Sequence, residues 1–189
     1  MWTTELKGYG DLYRYADDVC LVCRTEHQAE RALEEVEKLM CRLKLTLHPK
    51  KTKIVDLNQE GFDFLGYHFC KMKSKNSGKI VPYAWPNNKA MKKIREAIRE
   101  QTSRKNLPKN IKDVTDILNP IIRGWRNYFC MGNAIKKLQA LDRYVRLKLL
   151  RMAYKKRKWK EKTKIKELFE KWVSTNKLEY FYQRGICGT

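Results

Sequence analysis

Leu12-Tyr13-Arg14-Tyr15-Ala16-Asp17-Asp18-Val19-Cys20-Leu21-Val22 reads as a strand, a corner and a second strand. Leu12, Arg14 and Ala16 alternate with Tyr13 and Tyr15, and Val19-Cys20-Leu21-Val22-Cys23 is a short apolar run of strand formers. The pattern predicts a β-hairpin with Asp17 and Asp18 at its tip, where acids escape the sheet interior and project together. An Asp-Asp pair is also an ordinary solvated turn, because Asp is a common turn residue. Its setting argues for chemistry: the chain has a formal net charge of +21. Two adjacent carboxylates in so basic a chain suit a divalent cation held against a polyanion.

The positive charge is unevenly spread. Residues 1–70 hold 10 Lys+Arg and 12 Asp+Glu, whereas residues 71–189 hold 32 and 9, giving −2 and +23. The second part is therefore the expected polyanion binder, by direct electrostatics and counterion release. An apolar fraction of 42% with 21 aromatics among 189 residues is enough for a packed core in one medium or two small domains, which excludes a disordered chain. No stretch approaches the roughly 20 apolar residues of a membrane span. The first residues do not resemble a secretory signal, so a cytoplasmic location is expected. The six cysteines are scattered, as reduced thiols are. Cys20 and Cys23 have zinc-like spacing, but on a strand they face opposite sides and no second such pair exists, so no zinc site is expected.

Beyond the hairpin, Thr25-Glu26-His27-Gln28 has the spacing of a capping box, and Ala29, Ala32, Leu33, Val36, Leu39, Met40 and Leu43 recur at helical steps. A helix to about Lys44 follows, one face packed on the sheet. Leu45-Thr46-Leu47 and Ile54-Val55 read as short strands, and residues 62–69 as an alternating strand pair or bend. Residues 71–86, with Ser74, Asn76, Ser77, Gly78, Pro82 and Pro86, read as a basic hairpin or linker. Helical periodicity then takes over: one helix after an Asn87 or Asn88 cap, a second over 112–128 that Pro120 should kink or restart, a third over 134–158 and a fourth over 164–175. The expected class is α+β, a partial antiparallel sheet with one packed helix followed by a helical bundle. The expected division is 1–73, a 74–86 linker or hairpin, and 87–189.

These residues resemble those of the group II intron reverse transcriptases and maturases. Tyr15-Ala16-Asp17-Asp18 is similar to the family's palm hairpin, Leu45-Thr46-Leu47 with Lys51-Thr52 to its following strand-loop element, and Phe64-Leu65-Gly66-Tyr67 to its next segment. Gly124-Trp125-Arg126-Asn127-Tyr128-Phe129 looks like the signature of the maturase-specific thumb region. The four stand in the family's order over about 115 residues.

The resemblance implies an RNA-directed DNA polymerase palm in 1–73 and a thumb and maturase region in 87–189. Asp17 and Asp18 would be catalytic carboxylates and ligands to Mg2+ in two-metal nucleotidyl transfer. Tyr15 and Ala16 would line the floor beneath the template-primer, Lys51 would lie near the triphosphate, and Phe64, Leu65, Gly66 and Tyr67 would position the primer end. Arg123 and Arg126 would face RNA beside an aromatic cluster that is mostly core. Six of the ten residues 151–160 are basic, so Arg151, Tyr154, Lys155, Lys156, Arg157, Lys158, Trp159 and Lys160 are expected to contact phosphates and stack on unpaired bases.

The family's metal site also needs a third carboxylate from an earlier palm strand, and its nucleotide is gripped by fingers that precede it. Only 14 residues stand before Tyr15, with Glu5 and Asp11 as the acids upstream. The expectation is weak Mg2+ binding and no polymerisation by this chain alone. Its partners would be intron RNA, an RNA/DNA template-primer and a separate N-terminal reverse transcriptase fragment. The alternatives are a stand-alone RNA-binding maturase that assists splicing, and a generic basic nucleic-acid binder with a vestigial acid pair.

Overall fold

The alternation before Asp17 builds strand β1 (Asp11–Tyr15), paired antiparallel with β2 (Asp18–Val22) in a computed structural model of the chain. The structure describes residues 6, 8–49, 51–74, 77–157, 167, 169–171, 173, 175 and 177–185. These fall into two compact units, Met1–Leu65 with Phe69–Pro82, and Gly66–His68 with Tyr83–Thr189. Small antiparallel sheets and several helices make the fold α+β, as the sequence indicates.

In the first unit, Tyr15 pairs with Asp18, so Ala16 and Asp17 form a two-residue turn. Helix α1 (Glu26–Arg42) starts at Thr25, whose hydroxyl accepts from the Gln28 amide at 3.2 Å, while Gln28 Oε1 accepts from the Arg24 amide. Its predicted apolar stripe turns inward at Ala32 and Leu39. The strand expected at 45–47 is absent. The Leu45 amide donates back to Met40 O at 2.9 Å and the Lys44 amide to Cys41 O, with Lys44 at φ +55. This is a Schellman closure with lysine in the position that glycine usually takes, and it commits Leu45 to the helix end rather than to a ladder. Residues 54–55 also run without strand pairing.

The 62–69 pattern resolves into β3 (Phe62–Phe64) and β4 (Tyr67–Lys73), joined at Leu65 and Gly66, both with positive φ. A tight turn of that hand suits the twist of antiparallel strands. The 71–86 stretch supplies the rest of β4, a turn closed by the Ser74 amide on Lys79 O at 2.8 Å, and β5 (Ile80–Pro86), giving the order β3-β4-β5.

The second unit is built on helical stripes. Asn87 caps α2 (Asn88–Gln101) by accepting from the Ala90 amide at 2.8 Å, and Met91, Ile94 and Ile98 face inward. A 3-10 turn (Arg104–Asn106) leads to α3 (Ile111–Phe129), whose Asn110 and Asp113 form a capping box. The interruption expected at Pro120 is absent: α3 runs through it. Helix α4 (Ile135–Arg157) turns Leu138, Leu141, Val145, Leu149 and Met152 inward, as its periodicity predicts, but leaves Leu147 exposed. The three helices pack on one another around a core that also takes in Phe169, Val173, Leu178 and Phe181. Of the expected fourth helix over 164–175, residues 167, 169–171, 173 and 175 are described and are helical, and the other six lie outside the described residues. Gly132, at φ +80, lets the chain pass Ala84 so closely that a Cβ there would stand 2.7 Å from the Ala84 carbonyl oxygen.

Candidate nucleic-acid interface

The acid pair sits where the hairpin pattern puts it. Asp17 is the second turn residue and Asp18 the first of β2, and both side chains are exposed. Ala16, at φ +49, makes the corner, and its carbonyl accepts from Arg14 Nε at 3.0 Å. In the sequence Arg14 stands only as a member of the strand alternation; its place two residues before the turn is the signal for this bond. Tyr15, next to the turn, is 68% exposed, so its ring is open to a large ligand. No three His, Cys, Asp or Glu side chains cluster in metal-ligating geometry among the described residues. Two exposed carboxylates at one corner nonetheless fit Mg2+, which keeps several waters and takes one or two carboxylates plus substrate phosphates. Lys51 is also exposed, in a turn whose amides donate to His48 O.

Phe64, Leu65, Gly66 and Tyr67 are half-buried around the second tight turn. Within the second unit, Tyr67 has its hydroxyl on the Tyr128 carbonyl and its ring 4.9 Å from that of Phe129. Burial pushes the Tyr67 phenol up to about 12, so it stays protonated and keeps donating. Gly66 lies against the same Phe129 ring, 3.3 Å from where a Cβ would be.

Arg126 of the signature and the preceding Arg123, both on α3, share an intramolecular partner. Glu179 takes Arg123 Nε at 2.9 Å on one carboxylate oxygen and Arg126 at 3.2 Å on the other. Arg126 is 8% exposed and also donates to Tyr180 O and Gln183 Oε1, while its Nε has no hydrogen-bond partner among the described residues. The Arg123 side chain stays more than half exposed. Around this pair, residues 177–183 are strapped onto α3 and α4. Asn119 bonds Lys177 O and the Glu179 amide, and Asp142 accepts from the Phe181 and Tyr182 amides at 2.6 and 3.0 Å. Phe181 is fully buried, edge-on to Trp125 at 5.5 Å. Trp125 is partly buried and tilted on Phe129 at 4.3 Å, which makes this aromatic cluster mainly core.

On α4, Arg151 and Lys155 are exposed and Tyr154 is half-buried. The side chains of Lys156 and Arg157, and all of Lys158, Trp159 and Lys160, lie outside the described residues. No described helix is long and apolar enough to cross a membrane.

Both halves match known families. Residues 5–69 match the model for "Reverse transcriptase (RNA-dependent DNA polymerase)", and residues 91–172 that for "Group II intron, maturase-specific domain". The reverse transcriptase match comes first along the chain and the maturase match second. The chain is also 29% identical over 133 residues, 61% of its length, to a Schizosaccharomyces pombe protein named "Uncharacterized 91 kDa protein in cob intron". That match takes in 16% of the relative's own length. The reverse-transcriptase match includes the acid turn and the Phe64-Leu65-Gly66-Tyr67 segment, while the maturase match includes most of α2, all of α3 and all of α4. The strap at 177–183 lies beyond the maturase match. No local pattern in the sequence marks it, because its partners are 39 to 60 residues away.

Proposed function

We infer that these residues form the C-terminal portion of a group II intron-encoded RNA-directed DNA polymerase and maturase, with 1–73 as part of the palm, 74–86 as a linking hairpin segment and 87–189 as thumb and RNA-binding region. The observation that carries this reading is the order of the two family matches along a chain whose charge divides as −2 before residue 71 and +23 after it. The basic part binds intron RNA and template-primer through phosphates, using Arg123, Arg151, Lys155 and the following basic run. Tyr154 and Trp159 add stacking on unpaired bases. Arg126, tied to Glu179, acts by holding the surface that presents Arg123.

In the palm part, Asp17 and Asp18 would hold Mg2+, with Arg14 bracing the turn that presents them. Bound between these carboxylates, Mg2+ would supply charge stabilisation for a primer 3′-hydroxylate and for a departing pyrophosphate. Tyr15 and Ala16 form the floor under the template-primer, Lys51 meets the triphosphate, and the 64–67 turn positions the primer end. Two carboxylates are fewer than two-metal transfer of this kind needs, and a third carboxylate and a nucleotide clamp would have to complete the site. The 189 residues alone are therefore expected not to extend an annealed primer in Mg2+. Nucleotide addition by the isolated chain that Asp17→Ala abolishes would overturn this part of the reading.

RNA binding has its own test. At matched salt, the chain should bind a structured group II intron RNA at least tenfold more tightly than duplex DNA, and log affinity should fall linearly with log salt. Equal affinity for both would leave only generic basic binding. Selective RNA binding by a chain that also failed to polymerise when joined to fingers and the missing palm acid would favour the stand-alone maturase.

A further inference from the structure

In the helical unit, a cleft of about 140 Å³ opens between the end of α2, the 3-10 turn and α4. Arg104, Lys148, Arg151 and Lys155 line it. On α4, Lys148, Arg151 and Lys155 stand at steps of three and four, so the helix turns all three the same way. Arg104 meets them from the 3-10 turn. The floor is apolar: Met152 is 2% exposed, and Leu107 packs on the same core.

The charges here are treated differently from those nearby. Arg123 and Arg126 are matched by Glu179, Arg146 by Glu170 and Lys92 by Glu96. Among the described residues, no acid lines the cleft, and Arg104, Lys148, Arg151 and Lys155 form no ion pair. Lys148 is positioned over the Tyr144 ring at 5.4 Å, which holds the stem while the ammonium keeps its hydrogen-bonding capacity. The Thr102 hydroxyl is committed to Ile98 O at 2.8 Å, but no partner among the described residues takes the Ser103 hydroxyl at the same rim. Four like charges around one small cleft repel one another unless an anion is bound between them. Two guanidinium forks, two point-charge ammoniums and a hydroxyl are the donor set that phosphate oxygens take. In the sequence, Lys155 is followed directly by the basic residues 156–158. That continuation favours a polyanion threaded through the cleft over a small free ion.

We propose that this cleft seats a backbone phosphate of bound RNA, with Arg104 and Lys148 as ligands alongside Arg151 and Lys155. The inference rests on the RNA-binding reading and narrows it to one site. Its test uses Arg104→Gln/Lys148→Gln in the full 189-residue chain, since these two residues belong to the cleft and not to the run already assigned. The probe is a fluorescent RNA stem-loop, with affinity measured by anisotropy between 50 and 200 mM salt. The double variant should bind about five- to tenfold more weakly and lower the log-log salt slope by about 1. A charge-matched control in the first unit, Lys71→Gln/Lys73→Gln, should change affinity by less than about twofold. If the helical circular dichroism of the double variant melts lower than that of the parent, the single variant Arg104→Gln, on the exposed turn, replaces it. Wild-type binding with equal effects of the double variant and its control would overturn the seat and leave the general RNA reading standing. No RNA binding by the wild type would overturn both.

Discussion

Phe181→Ala is expected to lower the unfolding free energy of the helical unit by about 3–5 kcal/mol, the range for removing a buried aromatic ring. Phe181 is 0% exposed and shares a core with Leu118 and Ile122 of α3 and Leu141 and Val145 of α4. Its ring meets Trp125 edge-on, an arrangement worth more than its area alone. The backbone at this position is also anchored, because the Phe181 amide donates to Asp142. The strap therefore cannot slide another side chain into the vacated space without breaking that bond, and the cavity stays. Tyr180→Ala, one residue earlier and 40% exposed, should cost less than about 1 kcal/mol. Urea unfolding of the full chain, followed by helical circular dichroism, compares the two. Equal losses would show that the strap is a surface tail and not part of the core.

The regular elements were legible because their signals are local. Alternation around Asp17 and Asp18 gave the first hairpin, Thr25 and Asn87 marked helix starts, and the stripe from Leu138 to Met152 faces the core as its spacing requires. Leu45 misled because an apolar residue just past a helix looks like the start of a strand. Only the backbone bond to Met40 reveals that it closes α1. Pro120 misled in the opposite sense, since one missing donor was not enough to end a helix anchored in the core on both sides, at Leu118 and Ile122.

The candidate site was legible where one short segment carries it and obscure where it is assembled. Asp17 and Asp18 need nothing but their own hairpin. Arg123 and Arg126 share one helical face with no acid at neighbouring steps, so the sequence shows a bare basic face. The structure brings in Glu179, more than 50 residues on. One clue was available: residues 71–189 contain only 9 acids against 32 Lys+Arg, so any carboxylate there has many cations to choose from. Glu179, Asp142 and Glu170 all prove to be partnered. The scarce acids of the helical half thus tie the bundle together, and the remaining positive charge is left for a polyanion.

Glu179→Gln and Asp142→Asn should both destabilise the strap, with pH dependences of opposite sign. Hydrogen bonding from Arg123, reinforced by the charges of Arg123 and Arg126, holds the Glu179 carboxyl below its ordinary value near 4.5. Its contribution is thus fully present above that value and is lost as pH falls through the lower folded one. Removing the charge should cost about 2 kcal/mol at neutral pH, because Arg126 is left buried with its charge-assisted partner weakened. Asp142 is the reverse case. Burial pushes its carboxyl above the ordinary value near 3.8, and the amides of Tyr182 and Phe181 with the charges of Arg146 and Arg126 only partly offset this. A raised carboxyl binds a proton more readily in the folded chain, so its contribution is present below the ordinary value and declines as pH rises through the folded one. Asparagine offers one oxygen where the carboxylate offers two, so one of the two strap amides loses its acceptor. Between about pH 3 and pH 6, the gap between wild type and Glu179→Gln should widen with rising pH, while that for Asp142→Asn should narrow. Urea midpoints across that range read both curves. Gaps that moved together would mean that the two carboxylates do not experience opposed environments, and that the bonds from Asp142 to the strap amides outweigh its burial.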